Sequence, residues 1–299
     1  MIRLSKTLFI AACSLATTGV AFAQDDEASE PAPEEMPPEP MGEEAAAPPV
    51  DAPPLTLAKG KIVIAGSTLN FNLSADAVGE PTSLAPSVWY GVDDKLTVGL
   101  THDGGTTPWS PRPGILTLGG VDTMGNPVTI GVGRGICLTG EEGGCLEVYD
   151  NVGFDALYAL KQGKLTVAAH PGLDIVRFDP FMLALRLGVL GRYMVDDKIS
   201  IVFDPRLQFG ITERDAGNKE GIDLPVWAWY AIDAKISAYV HTGINGRFDG
   251  FGDNYSIPLQ IGGNYQVNEQ LTAGLDFGFT RLNDGADGRV LGLRVVYAL

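Results

Sequence analysis

From residue 89 to residue 299 one phrase recurs: an aromatic residue, a short apolar step, a polar turn, then a new run of alternating apolar residues. It reads WYGVDDKLTVGL at 89–100, YALKQGKLTVAA at 158–169, YMVDDKISIVF at 193–203, YAIDAKISAYV at 230–240 and YQVNEQLTAGL at 265–275, and YAL at 297–299 opens the same unit. The tyrosines of the phrase, Tyr90, Tyr158, Tyr193, Tyr230, Tyr265 and Tyr297, stand 68, 35, 37, 35 and 32 residues apart. A period near 35 marks one structural unit used repeatedly. Within a unit the apolar residues hold every second place. In 198–212, Ile199, Ile201, Phe203, Leu207, Phe209 and Ile211 alternate with Ser200, Asp204, Arg206 and Gln208, broken only at Pro205. A strand sends successive side chains to opposite faces, whereas a helix would scatter these residues around its axis. At roughly ten residues per strand, one period holds two strands, one tight turn and one longer loop.

The pattern predicts twelve strands, at about 60–73, 85–92, 95–102, 153–161, 164–175, 181–194, 198–212, 222–231, 235–246, 254–266, 270–282 and 288–299. The longer connections are rich in Gly, Asp, Asn and Pro, as loops are. The doubled spacing of 68 covers a long loop at 103–152. Its stretch GILTLGGVDTMGNPVTIGVG (114–133) has hairpin character but lacks the Tyr and the DDK-type turn; counting it as wall would make fourteen strands.

The two faces of these strands differ sharply. One carries Leu183, Leu185, Leu187, Ile201, Phe203, Leu207, Phe209, Leu275, Phe277, Phe279, Leu291, Leu293 and Val295. The other carries Asp155, His170, Asp174, Arg186, Arg192, Asp204, Arg206, Gln208, His241, Asp276 and Arg294, with glycines such as Gly188, Gly210, Gly274, Gly278 and Gly292 between them. A sandwich core does not hold so many charges. A barrel with a lipid-facing apolar exterior and a polar lumen does. One tyrosine per hairpin at the same height then makes an aromatic girdle at a bilayer interface.

With its export signal, periodic hairpins, tyrosine ring and alternating final strand VLGLRVVYAL, the chain over about 57–299 resembles the outer-membrane β-barrel proteins of Gram-negative bacteria, as a class. The resemblance implies an all-β, antiparallel, up-and-down transmembrane barrel in the outer membrane. It further implies short turns and both termini in the periplasm, long loops outside, and insertion by the barrel-assembly machinery. Many such barrels end in Phe; this one ends in Leu299, with Tyr297 two places before.

Upstream, Arg3 and Lys6 precede an apolar run over 7–22, and AFA at 21–23 is a small-x-small cleavage pattern. Residues 1–23 therefore read as a secretory signal peptide. Residues 24–56 hold ten carboxylates, nine prolines and no Lys or Arg. Such a segment buries too little apolar surface to fold and reads as a disordered, extended periplasmic spacer, with a tether to a periplasmic partner as the sharper reading. The formal net charge is -16, and no basic footprint for nucleic acid exists. Beyond the signal peptide two cysteines remain, Cys137 and Cys145 in ICLTGEEGGCLEVYDN. An even pair in an exported chain reads as a disulfide that staples a loop. No His lies near them, so neither a metal site nor a cofactor is expected.

Three functions fit such a barrel. The first is porin-like passive passage of small polar solutes, with the inner Arg and Asp residues setting ion preference. The second is a non-conducting barrel that anchors or binds through the 103–152 loop or the tail. The third, a hydrolase, would draw on His102, His170 or His241, but no motif names a nucleophile, and the chain reads as a non-enzyme. Partners are then outer-membrane lipid and, through outer-side arginines, lipopolysaccharide phosphates.

Overall fold

A computed structural model describes residues 51–73, 78–79, 82–102, 116–121, 127–132, 136–139, 149, 151–284 and 288–299. The expected signal peptide, most of the acidic spacer and the Cys137–Cys145 pairing lie outside the described residues. The strands are β1 (Ile62–Asn72), β2 (Thr82–Gly91), β3 (Leu96–Thr101), β4 (Leu116–Val121), β5 (Pro127–Val132), β6 (Ile136–Thr139), β7 (Val152–Lys161), β8 (Leu165–Ala169), β9 (Gly172–Arg177), β10 (Met182–Met194), β11 (Ile199–Phe203), β12 (Arg206–Gly210), β13 (Gly221–Ala231), β14 (Ile236–Arg247), β15 (Leu259–Gln266), β16 (Leu271–Phe279) and β17 (Arg289–Ala298).

Every pairing is antiparallel, and the main sheet closes on itself. Strand order runs β1, β2, β3, β7, β8, β10, β11, β13, β14, β15, β16, β17 and back to β1, where Val63 faces Ala298 and Asn72 faces Val290. β9 continues β8 between β7 and β10, and β12 continues β11 between β10 and β13. The wall therefore has twelve staves, the number that the tyrosine period predicts. Closure leaves the ring of twelve staves without a free edge.

The two broken staves are explained by proline. Pro171 separates β8 from β9, and Pro205 separates β11 from β12; neither has an N–H to offer the ladder. Their carbonyls still accept, from Ala156 N–H (2.9 Å) and Val189 N–H (3.1 Å). Four of the tight turns repeat a single device. Asp93, Asp196, Asp233 and Asn268 each accept through Oδ1 from the backbone N–H groups two and three residues on, at 2.7–2.9 Å. Just before each of them Val92, Val195, Ile232 and Val267 donate across the turn at 2.9 Å. The polar residue that opens the recurring turn is thus an Asx turn in atomic form.

Four details differ from the sequence reading. The 114–133 stretch does form a hairpin, β4 with β5, but as a separate two-stranded sheet outside the ring. β6, from the same long loop, pairs with the first residues of β2. Residues 251–254, at the expected start of a strand, form a single helical turn (Phe251–Asn254), and β15 begins at Leu259 because Pro258 has no N–H for the ladder. Residues 51–56, assigned to the spacer, pack against the barrel.

Candidate functional site: the interior of the barrel

Alternation along each stave sends one set of side chains inward. On the outer face Leu187, Leu207, Leu275, Phe277, Leu293 and Val295 are exposed. Tyr90, Tyr158, Tyr193, Tyr230 and Tyr265 share that face and are exposed at the short-turn end, while Tyr297 is half-buried. On the inner face Asp155, His170, Asp174, Arg186, Asp204, Arg206, His241, Asp276 and Arg294 are buried, and Arg192 and Gln208 are half-buried.

Most of the inner charges form a belt on neighbouring staves. Arg186 on β10 donates Nη2 to Asp174 on β9, and Nη2 also lies 3.3 Å from both carboxylate oxygens of Asp155 on β7. Thr101 on β3 donates its hydroxyl to Asp155 Oδ2 at 2.7 Å. His170 bridges onward: Nδ1 lies 3.0 Å from Asp204 Oδ1 and Nε2 3.6 Å from Asp155 Oδ1. Arg206 Nη2 is 3.5 Å from Asp204 Oδ2. His170 and Asp204 each sit immediately before a strand-breaking proline, so the two interruptions fall side by side where the imidazole meets the carboxylate. Three carboxylates thus face two guanidinium groups and one imidazole. Glycine makes the room: a Cβ at Gly153 would stand 2.3 Å from Asp174 Oδ1, and one at Gly172 2.3 Å from Asp155 Oδ1.

A second cluster lies on the opposite wall. Arg294 on β17 donates Nη2 to Asn264 Oδ1 at 2.7 Å and Nη1 to the Tyr239 hydroxyl at 3.3 Å, with Asp276 Oδ2 3.6 Å away. Gln260 donates Nε2 to the other Asp276 oxygen. Between the clusters His241 stacks on Trp227, ring centroids 4.6 Å apart and planes 17° from parallel.

Toward the short turns the interior becomes apolar. Val63, Trp89, Leu157, Ala168, Leu190, Val202, Trp227 and Tyr239 come from eight different staves and meet in one buried cluster, which also holds Leu55 and Leu57 from the segment before β1. Side chains from eight staves of a closed ring converge only inside it. The sequence reading gave this face polar residues and glycines and missed these aromatics. The signal was parity: Trp89, next to the outward Tyr90, must point inward, as must Trp227 and Trp229 relative to Tyr230.

His102 has Nδ1 against the Pro86 carbonyl and Nε2 2.7 Å from the Tyr149 hydroxyl. Among the described residues no group of three or more His, Cys, Asp or Glu is placed to hold a metal ion.

No protein-family model matches the chain, and no curated protein does. Solved structures do. A KdgM porin in complex with disordered oligogalacturonate aligns with a TM-score of 0.51 at 10% identity, over 79% of this chain and 98% of that one. The NanC porin aligns with a TM-score of 0.51 at 9% identity, over 80% of this chain and 100% of that one. At such identities the likeness is one of fold and carries no residue roles. With the closed ring, the outward apolar face and the inward charges, it identifies the chain as an all-β antiparallel barrel of the outer-membrane porin fold.

Proposed function

We propose that this protein resides in the outer membrane, exported through a cleaved signal peptide at 1–23, and passes small polar solutes in the manner of a porin. The observation that carries this reading is the inner belt. A closed ring with apolar residues outward and Asp155, Asp174, Arg186, Asp204 and Arg206 on neighbouring inner positions is the arrangement in which charge rings set ion preference. The porin names of the two structural neighbours agree with it. In this reading Arg192, Gln208, His241, Asp276 and Arg294 line the rest of the route. The six tyrosines sit at the periplasmic interface, and the Cys137–Cys145 disulfide staples the long loop.

The test is conductance of the purified full-length protein in a planar lipid bilayer, with reversal potential measured across a salt gradient. Discrete current steps are expected. Arg206→Gln shifts selectivity toward cations and Asp204→Asn toward anions; unchanged selectivity in both would remove the belt from the route.

One observation favours a second reading. The belt residues are only 0–4% exposed. A barrel held in that state would anchor or bind without conducting, and silence of every correctly inserted form would support it. Deleting 106–150 would then abolish binding while the barrel still assembled.

A further inference from the structure

Residues 51–59, DAPPLTLAK, run under the short-turn end of the barrel before β1 begins. They join no strand ladder. Ala52 N–H donates to the Gly163 carbonyl (3.0 Å) in the β7–β8 turn, and the Thr56 hydroxyl donates to the Asp94 carbonyl (2.9 Å) in the β2–β3 turn. Leu57 N–H donates to Thr97 Oγ1 at 2.7 Å, inside β3. The segment therefore runs along the rim from one short turn to the next, two staves away. Leu55, 1% exposed, and Leu57 reach up into the apolar cluster formed by Trp89, Leu190, Trp227 and their neighbours.

We propose that this strap is a gate: it seals the periplasmic end of the lumen, and solute passes only when Leu55 and Leu57 withdraw. The proposal rests on the channel reading above. Three features distinguish a removable seal from an ordinary part of the wall. The ring closes through β1–β2 and β1–β17 without the strap, so withdrawal leaves all twelve staves paired. The strap is held by single hydrogen bonds to turns and side chains rather than by a strand ladder, and Pro53 and Pro54 have no N–H to add to one. It also depends on an absent side chain in the wall: a Cβ at Gly91 would stand 2.2 Å from the Ala58 carbonyl oxygen and 2.9 Å from that of Leu57. Any larger residue at 91 displaces the strap without touching its sequence. The chain upstream is the acidic, proline-rich segment, so a pull on that segment acts first on Ala52 and Leu55.

The experiment compares the full-length protein with Leu55→Asp/Leu57→Asp, with the milder Leu55→Ala and with Gly91→Ala. Each is checked for barrel formation by its heat-dependent gel mobility, then measured in planar bilayers. The wild type is expected to open rarely. The double variant and Gly91→Ala are each expected to raise the time-averaged current per inserted barrel at least tenfold, with Leu55→Ala between. If the double variant does not fold, Gly91→Ala and Leu55→Ala decide. Folded variants that conduct no more than a steadily conducting wild type overturn the gate and leave the channel standing. If every folded form, wild type included, is silent, the channel reading fails and the gate with it.

Discussion

At Arg186 one guanidinium meets two buried carboxylates, Asp174 on the adjacent stave and Asp155 on the stave beyond it. Removing it leaves two buried negative charges facing each other. Arg186→Met is expected to destabilise the folded barrel by about 3–5 kcal/mol, read as a shift in the urea midpoint in detergent. Adding Asp174→Asn to that variant should restore part of the loss, because it removes one stranded charge. Outside the wall the electrostatics are milder. The Arg214 guanidinium donates to Glu220 in the exposed β12–β13 loop, and that hydrogen bond holds the Glu220 carboxyl below its ordinary value. A carboxyl depressed in the folded state stabilises above its unfolded pKa and loses that contribution as pH falls through the folded one. The loop tie should therefore persist at neutral pH and release on acidification below the ordinary carboxylate range. An NMR titration of Glu220 with and without Arg214→Gln checks it; identical midpoints would refute the tie.

Among the elements, the tight turns were the most legible. Asp or Asn at the head of four of the recurring turns is a local chemical device, so its position could be read before any tertiary contact was known. Asp93→Ala, Asp196→Ala or Asp233→Ala removes two backbone contacts each and is expected to cost about 1 kcal/mol per turn, measured by chemical denaturation. Combined, the three should add, because the turns share no partners. The long loops were the least legible. Nothing local in GILTLGGV or NPVTIGVG tells whether the β4–β5 hairpin joins the wall; that depends on whether β3 and β7 already occupy each other's edges, and they do. The start of β15 was misplaced for a related reason: alternation continued through Tyr255, but the ladder begins only after Pro258.

For the whole molecule, the outer face carries its own prediction. Leu275 lies midway along β16, opposite Gly263 and Leu293, and is 54% exposed. If that face meets lipid, Leu275→Arg should cost about 2–4 kcal/mol for folding into bilayers. A cost near zero would place the site away from the hydrocarbon core.

The sequence by itself determined the alternation along each strand, because an extended chain points successive side chains to opposite faces, and a tyrosine about every 35 residues keeps the hairpins in phase. It determined the twelve staves for the same reason. Only the tertiary structure decided what the inward residues meet. Charge partners such as Arg186 with Asp155, or His170 with Asp204, are 31 and 34 residues apart in the chain and become neighbours through register. The apolar cluster at the short-turn end, and the strap of Leu55 and Leu57 that enters it, arise only when eight staves converge around a closed ring. Composition set 51–56 among the acidic, proline-rich residues; closure of the barrel gave Leu55 somewhere to be buried.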